Sequence, residues 1–312
     1  MNILFLNPNQ IRAHNWGHQL FKNEFAKHHN VVYYGKGFPN FNPKLTVPQI
    51  IKKMKIPFDI ILTYQIKYCK DFRGLGEIKD VSKVHIQIDF KSKKRRAMRM
   101  KLFGGNKYDL IFAATTSHLE DLKKALKIDK VYLLPFSVDI DKYKNLGLER
   151  DIDVIAVFSI RTATYPTRGR IQKLVKGLGV RSFIAAQKKA RSYKVIHEDY
   201  VRLINRSKIF VHGNSCYGDL NMKYFEALAC GTLFLTDKPV DFERVGFVDG
   251  KHLVLYEGLK DLKDKIGYYL GHETERLHIA KQGMKFVREN HNCGVRVEQF
   301  TDIIQKEFGI GR

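Results

Sequence analysis

Ile209 to Asp237 reads IFVHGNSCYGDLNMKYFEALACGTLFLTD. An apolar run ends at His212, and a small polar loop, Gly213 to Asp219, follows it. A helix then starts near Leu220–Asn221 and stops at Cys230-Gly231, where Gly231 suits the left-handed residue that closes a helix. A second apolar run, Thr232–Thr236, comes at once. Strand, loop, helix, strand is the βαβ unit of a parallel sheet. The loop that enters the helix exposes free N–H groups at a positive dipole end, which is an anion site in waiting. Asn221 and Lys223 stand in the first turn as further donors. Glu226, one turn on, can accept from a ribose diol. The plainer alternative is a surface helix on which Lys223 and Glu226 form a weak i,i+3 pair.

The same alternation runs outward in both directions. Strands are expected at Asn2–Leu6, Val31–Tyr34, Asp59–Thr63, Val84–Asp89, Leu110–Ala114 and Val131–Pro135, with helices between them such as Gly17–His28, Lys91–Phe103 and Ser117–Leu126. A polar stretch, Ser137–Arg150, interrupts the pattern and reads as a linker. Further strands are expected at Val154–Phe158, Ile209–His212, Thr232–Thr236 and His252–Leu255. The chain closes on a helix, Val295–Phe308. The 312 residues suit two domains. The expected division is 1–145 and 146–292, with 293–312 crossing back to the first domain. In such sheets ligands sit beyond the carboxyl ends of the strands.

Composition excludes several classes. Hydrophobic residues make up 44% and charged residues 28%, the balance of a folded globular chain. No apolar run approaches the roughly 20 residues that span a bilayer. The start has no basic region ahead of its short apolar run, so no signal peptide is expected. Cys69, Cys216, Cys230 and Cys293 stand far apart, which indicates neither a zinc ribbon nor a disulfide framework. A reducing, cytoplasmic setting is expected, with peripheral contact at a membrane surface as an option.

The net charge is +23. Residues 1–150 hold 28 basic and 13 acidic side chains, and residues 151–312 hold 27 and 19, so the first half carries the larger surplus. Its densest run is Lys91, Lys93, Lys94, Arg95, Arg96, Arg99 and Lys101. These residues are expected to form a broad electropositive helix wall for an anionic acceptor: DNA, anionic lipid or a phosphate-rich glycan. Ordinary solvated basic faces explain the surplus equally well.

The segment Asn221-Met-Lys-Tyr-Phe-Glu-Ala-Leu-Ala-Cys-Gly231 resembles the signature of CgeB-type, spore maturation protein-like glycosyltransferases. The likeness extends upstream to Tyr165-Pro-Thr-Arg168 and downstream through Gly250-Lys-His-Leu253 to Arg276, His291 and Arg296. It is specific over about 150–300 and loose before that. It implies an α/β GT-B architecture, two Rossmann-like doubly wound parallel-sheet domains facing a cleft, with the acceptor on the first and the nucleotide sugar on the second. The implied reaction is sugar transfer from a nucleotide-diphosphate donor, a UDP-sugar, to a hydroxyl of a surface glycan, lipid-linked intermediate or protein. No separate cofactor is implied. Glu226 would hold the donor ribose, and Asn221 and Lys223 would lie near the diphosphate. Arg161 and Arg168 would clamp it, with Ser215 and Asp219 completing the donor loop. Retaining GT-B enzymes often carry an acid eight positions before Glu226. Position 218 is Gly here and Asp219 is one residue off, so no stereochemistry follows.

Other chemistries are weighed on the same residues. Asp139-Ile-Asp141 and Asp151-Ile-Asp153 match the metal-holding D-x-D pattern, but both flank the expected linker, and no metal ligands are expected. No G-x-G-x-x-G follows the first strand, and neither a P-loop nor G-x-S-x-G occurs. His14 and His18, after the first strand, and Asp89, at the end of another, are candidate bases. Two other functions stay open. One is a phage-type transferase acting on modified DNA bases, and the other is a non-catalytic nucleic-acid-binding protein on the same fold.

Overall fold

The structure, a computed structural model, describes residues 1–10, 16–88, 93–161, 163–187 and 195–310. The chain divides into two compact units, Met1–Pro135 with Arg296–Arg312, and Phe136–Val295.

The first unit is a six-stranded sheet. Its strands are β1 (Asn2–Leu6), β2 (Asn30–Tyr34), β3 (Ile60–Tyr64), β4 (Ser82–Gln87), β5 (Leu110–Ala113) and β6 (Val131–Leu133). Their order is β2-β1-β3-β4-β5-β6, with every pair parallel. β1 and β3 are mostly apolar: Ile3 to Leu6 and Ile60 to Leu62 are fully buried. A strand covered on both faces needs such a run. The covering helices are α1 (Trp16–His28), α2 (Val47–Met54), α3 (Lys93–Asn106) and α4 (Leu119–Leu126). The C-terminal residues close this unit, since Phe300 packs edge-on to Phe25 at 5.0 Å and against Phe112 at 4.9 Å.

The second unit repeats the plan with β7 (Ile152–Ser159), α5 (Arg168–Lys176), β8 (Ser182–Gln187), α6 (His197–Asn205), β9 (Ser207–Val211), α7 (Met222–Ala229), β10 (Leu233–Thr236) and β11 (Val254–Leu255). Then come α8 (Gly258–Gly271) and α9 (Glu273–Asn290), and α10 (Cys293–Phe308) starts here but belongs from Arg296 on to the first unit. The strand order is β11-β10-β9-β7-β8, again all parallel. The Ser137–Arg150 stretch is part of this unit. Arg150 donates to the Cys230 carbonyl at 3.0 Å, the Gly231 carbonyl at 2.8 Å and the Thr232 hydroxyl at 2.8 Å. It thereby ties the end of α7 to the start of β10.

Three sequence expectations need correction. β8 was missed because Ser-Phe-Ile-Ala-Ala-Gln has neither a strong alternation nor a β-branched run, and as an edge strand it needs neither. α2 was missed as well, although Thr46-Val-Pro-Gln49 announces it: Gln49 Oε1 accepts the Thr46 N–H at 2.9 Å, and Pro48 sits in the first turn. The third concerns α3. Arg99 is 3% exposed and Met98 52%, so the helix turns Met98 out and Arg99 in. Arg99 is therefore no part of an exposed basic wall. Lys101 is exposed. Lys91 and the side chains of Lys93, Lys94, Arg95 and Arg96 lie outside the described residues. Among the described residues, no helix is long and apolar enough to cross a membrane.

Candidate functional site

β7 and β9 are neighbours in the second sheet, yet the chain leaves them in opposite directions, to β8 and to β10. That divergence opens a crevice at their carboxyl ends, the place where doubly wound sheets bind ligands. Ser159 ends β7 at this point, and His212 directly follows β9.

Gly213 makes the local packing possible. A Cβ there would lie 2.7 Å from Ile171 Cδ1 and 3.0 Å from Thr167 Oγ1, so any side chain would have to displace these packed side chains of α5 and its entry turn. Arg168 fills the space beside it. Its Nε donates to the Gly213 carbonyl at 2.6 Å and its Nη1 to the Ser159 carbonyl at 3.3 Å. Its guanidinium stacks 3.6 Å from the Tyr165 ring centre. Arg168 is thus buried and bonded across the two strand ends, whereas Arg161 is exposed beside Tyr165.

His212 is fully buried. Its Nε2 faces Asn221 Nδ2 at 3.0 Å and Arg168 Nη2 at 3.4 Å. Burial, with the Arg168 and Lys223 charges nearby, holds it well below the ordinary histidine value. The Ser159 hydroxyl, the Thr167 hydroxyl and His212 Nδ1 are buried without a hydrogen-bond partner among the described residues. Unmatched polar atoms grouped at one crevice mark a place where a ligand or water completes the bonding.

Asn221 caps α7, its Oδ1 accepting the Lys223 N–H at 3.0 Å. The preceding loop is held from below. Asn214 N–H donates to Asp237 Oδ1 and Asn214 Nδ2 to the Asp237 carbonyl, both at 2.7 Å, and the Tyr224 hydroxyl donates to Asn214 Oδ1 at 2.7 Å. Ser215 Oγ accepts the Tyr217 N–H at 3.2 Å. Ser215 and Asp219 keep partial access to solvent.

Glu226 is buried one turn further in. The Tyr143 and Tyr200 hydroxyls hydrogen-bond its carboxylate, and Lys223 Nζ stands 3.4 Å from the Tyr200 hydroxyl. Burial pushes the Glu226 carboxyl up and the Lys223 ammonium down, while each opposes the other's shift. A carboxylate has about four acceptor positions, so two phenols leave capacity for a diol.

The structure thus gathers Arg168, Asn221, Lys223 and Glu226 with Ser215, Asp219 and Arg161 around the ends of β7 and β9. His18 lies in the first unit, buried, its Nδ1 2.9 Å from the Tyr64 hydroxyl. His14 and Asp89 lie outside the described residues. The sequence reading missed His212, Tyr143, Tyr200 and Asp237. His212 had a signal, an ionisable residue where an apolar strand meets a glycine loop. The tyrosines had none, because they come from distant segments.

Residues 167–302 match the family model described as glycosyl transferase-like. No curated protein matches the chain in sequence. Solved structures resemble it along its length. Sucrose-phosphate synthase from Thermosynechococcus elongatus aligns with a TM-score of 0.67 at 14% identity over 100% of both chains. A glycosyltransferase from Rickettsia africae aligns at 0.67 and 13% over 99% of each. Anabaena HepE, in complex with UDP-glucose, aligns at 0.63 and 14% over 98% of this chain and 100% of its own. Two parallel-sheet units of this order give the chain a GT-B fold, and a glycosyl transferase-like segment runs from 167 to 302.

Proposed function

We propose that the protein transfers a sugar from a nucleotide-diphosphate donor, a UDP-sugar, to an acceptor hydroxyl, as a relative of the CgeB-type enzymes. The observation that carries this reading is a coincidence of place. The glycosyl transferase-like segment contains the β9–α7 turn, and that turn stands at the switch point of the second sheet with its polar atoms still unmatched. The UDP-glucose bound by the Anabaena protein supports a uridine nucleotide.

In this reading the capped start of α7 and the cations Lys223 and Arg161 stabilise the leaving diphosphate as charge develops on it. Glu226 accepts hydrogen bonds from the ribose. Arg168 positions the crevice instead of gripping the phosphate, because its N–H groups already serve carbonyls. The transfer needs no metal. Asp151 and Asp153 flank the amino end of β7, away from the crevice, where Asp151 pairs with Arg206 and Asp153 with Lys208 at 2.7 Å. Asp139 Oδ1 accepts from its own turn, at the Asp141 and Lys142 N–H groups.

Titration calorimetry with UDP, GDP and dTDP, followed by assay of nucleotide release from the corresponding sugars, tests the reading. UDP binding with slow UDP release from a UDP-sugar is expected. A folded protein that binds none of the three nucleotides would overturn it.

A further inference from the structure

Tyr165-Pro166-Thr167-Arg168 leads the chain into α5, which starts at Arg168. Proline disfavours a helical backbone at the residue before it, so Tyr165 stands outside the helix. On its other side the Thr164 and Tyr165 N–H groups both donate to the Arg161 carbonyl, at 3.0 and 2.8 Å. The chain folds back there and brings Arg161, Tyr165 and Arg168 together.

One ring serves two guanidiniums. Arg168 lies 3.6 Å from the Tyr165 ring centre and Arg161 5.8 Å from it. Both distances fall within the roughly 6 Å over which the negative face of an aromatic ring attracts a cation. The two arginines differ in freedom. Arg168 is buried and pinned by the Gly213 and Ser159 carbonyls. Arg161 is exposed, and among the described residues no carboxylate pairs with it.

Two like charges beside one ring repel each other, and an anion between them removes that cost. The Thr167 hydroxyl next to them is buried without a hydrogen-bond partner among the described residues. The turn is also tied to the donor loop, because the Cys216 N–H donates to the Thr164 carbonyl at 2.8 Å. Arg161 therefore starts from a fixed place relative to the entry of α7. A long exposed side chain gives up rotamer freedom when it grips an anion. One that already rests on a supported ring has given up part of it beforehand.

We infer that Tyr165 is a positioning residue for the donor: with Arg168 as its fixed support, its ring holds the Arg161 guanidinium ready for the diphosphate. This rests on the transferase reading above, in which Arg161 stabilises the leaving diphosphate, and it names the residue through which Arg161 is placed. The aromatic face carries the effect, and the Tyr165 hydroxyl has no part in it.

Binding of UDP and of uridine to the full-length protein tests it, by titration calorimetry and by ligand-observed NMR. Uridine carries the base and the ribose without phosphate. Tyr165→Leu should lower UDP affinity about three-fold, the worth of an exposed contact between a cation and a ring, and leave uridine affinity unchanged. Tyr165→Phe keeps the ring and should bind UDP as the wild type does. In an Arg161→Gln background, Tyr165→Leu should cause no further loss, because the group it positions is gone. Pentafluorophenylalanine placed at 165 is the second probe, should the leucine variant fail to fold. It keeps the shape of phenylalanine but removes the negative ring face, and it should weaken UDP binding as leucine does. The inference is overturned if the losses from Tyr165→Leu and Arg161→Gln add, if uridine affinity falls along with UDP affinity, or if the fluorinated ring binds UDP as phenylalanine does. A wild type that binds no UDP overturns the donor reading and this inference with it, whereas additive losses overturn this inference alone.

Discussion

Arg168 and His212 meet through a single ring nitrogen, with Arg168 Nη2 3.4 Å from His212 Nε2. A guanidinium has only N–H groups to offer, so Nε2 accepts and the ring proton sits on Nδ1. Asn221 Nδ2 shares the same acceptor at 3.0 Å while Asn221 Oδ1 caps α7. One neutral imidazole therefore joins the Tyr165–Arg168 stretch to the start of the α7 helix. Its peptide carbonyl is also bonded, accepting the Tyr256 hydroxyl at 2.6 Å.

The tautomer is directly observable. Long-range proton–nitrogen spectra should show His212 neutral and Nδ1-protonated from pH 5.5 to 8, the direction set by its burial and the nearby cations. His212→Phe keeps the ring but strands two buried donors, at about 1–3 kcal/mol. His212→Gln, which restores an acceptor, should recover part of the stability and of the UDP affinity. An imidazole that titrates near the ordinary histidine value would contradict this arrangement.

Gly213→Ala probes the same crevice by size alone. The new methyl would stand 2.7 Å from Ile171 Cδ1. Overpacking of this kind costs about 1–3 kcal/mol. Both thermal stability and UDP affinity should fall, because Ile171, Thr167 and the Arg168 stem beside His212 must repack. An alanine variant with unchanged Tm and unchanged UDP affinity would show that the contact is not tight.

Glu226 tests the donor site by charge. Glu226→Ala should abolish turnover and weaken UDP binding by about 1–3 kcal/mol, the range for a hydrogen bond to a charged group. Tyr143→Phe and Tyr200→Phe each remove one phenol from the carboxylate. They should lower UDP affinity less than Glu226→Ala does. Wild-type turnover in a folded Glu226→Ala protein would remove this residue from the site.

The D-x-D pairs give a test of metal use. Asp153 accepts from Lys208 Nζ at 2.7 Å and from the Arg181 N–H at 3.0 Å. Asp153→Asn should therefore lower stability by about 1 kcal/mol or less, as expected for a partly exposed pair. Sugar transfer should survive both that substitution and EDTA. Loss of activity in EDTA, restored by Mn²⁺ or Mg²⁺, would require a metal in the reaction.

Both sheets were legible in the sequence because strands buried on two faces must be nearly all apolar, as Asn2–Leu6 and Ile209–Val211 are. The β9–α7 turn was legible because loop, cap and closing glycine are local. The facing of α3 was not. Its run alternates Arg99 between Met98 and Met100, and tertiary packing, not periodicity, decides which side is buried. Glu226 was visible as a residue, but its Tyr143 and Tyr200 partners come from outside the βαβ unit, and no local spacing encodes them.

Lys22 supplies a pH signature for the first unit. It is buried with carbonyl partners at Pro8 and Gln10, and burial lowers it from 10.5 to about 7. The unfolded chain keeps the Lys22 proton up to its ordinary value, and the folded chain keeps it only up to about 7. Between these limits the unfolded state binds more protons, so stability rises with pH, by up to about 1.4 kcal/mol per pH unit from this group. The clean window is pH 7 to 9. Above it the Cys69 thiol, pushed up to about 11 by burial, contributes with the opposite sign. Urea unfolding at pH 7, 8 and 9 should show the rise in the wild type and a flatter profile in Lys22→Met, which has no proton to lose. The methionine variant also gives up two hydrogen bonds, so its absolute stability can move either way, and the slope is the quantity that decides. Parallel profiles for the two proteins would mean that Lys22 titrates as a solvated lysine does.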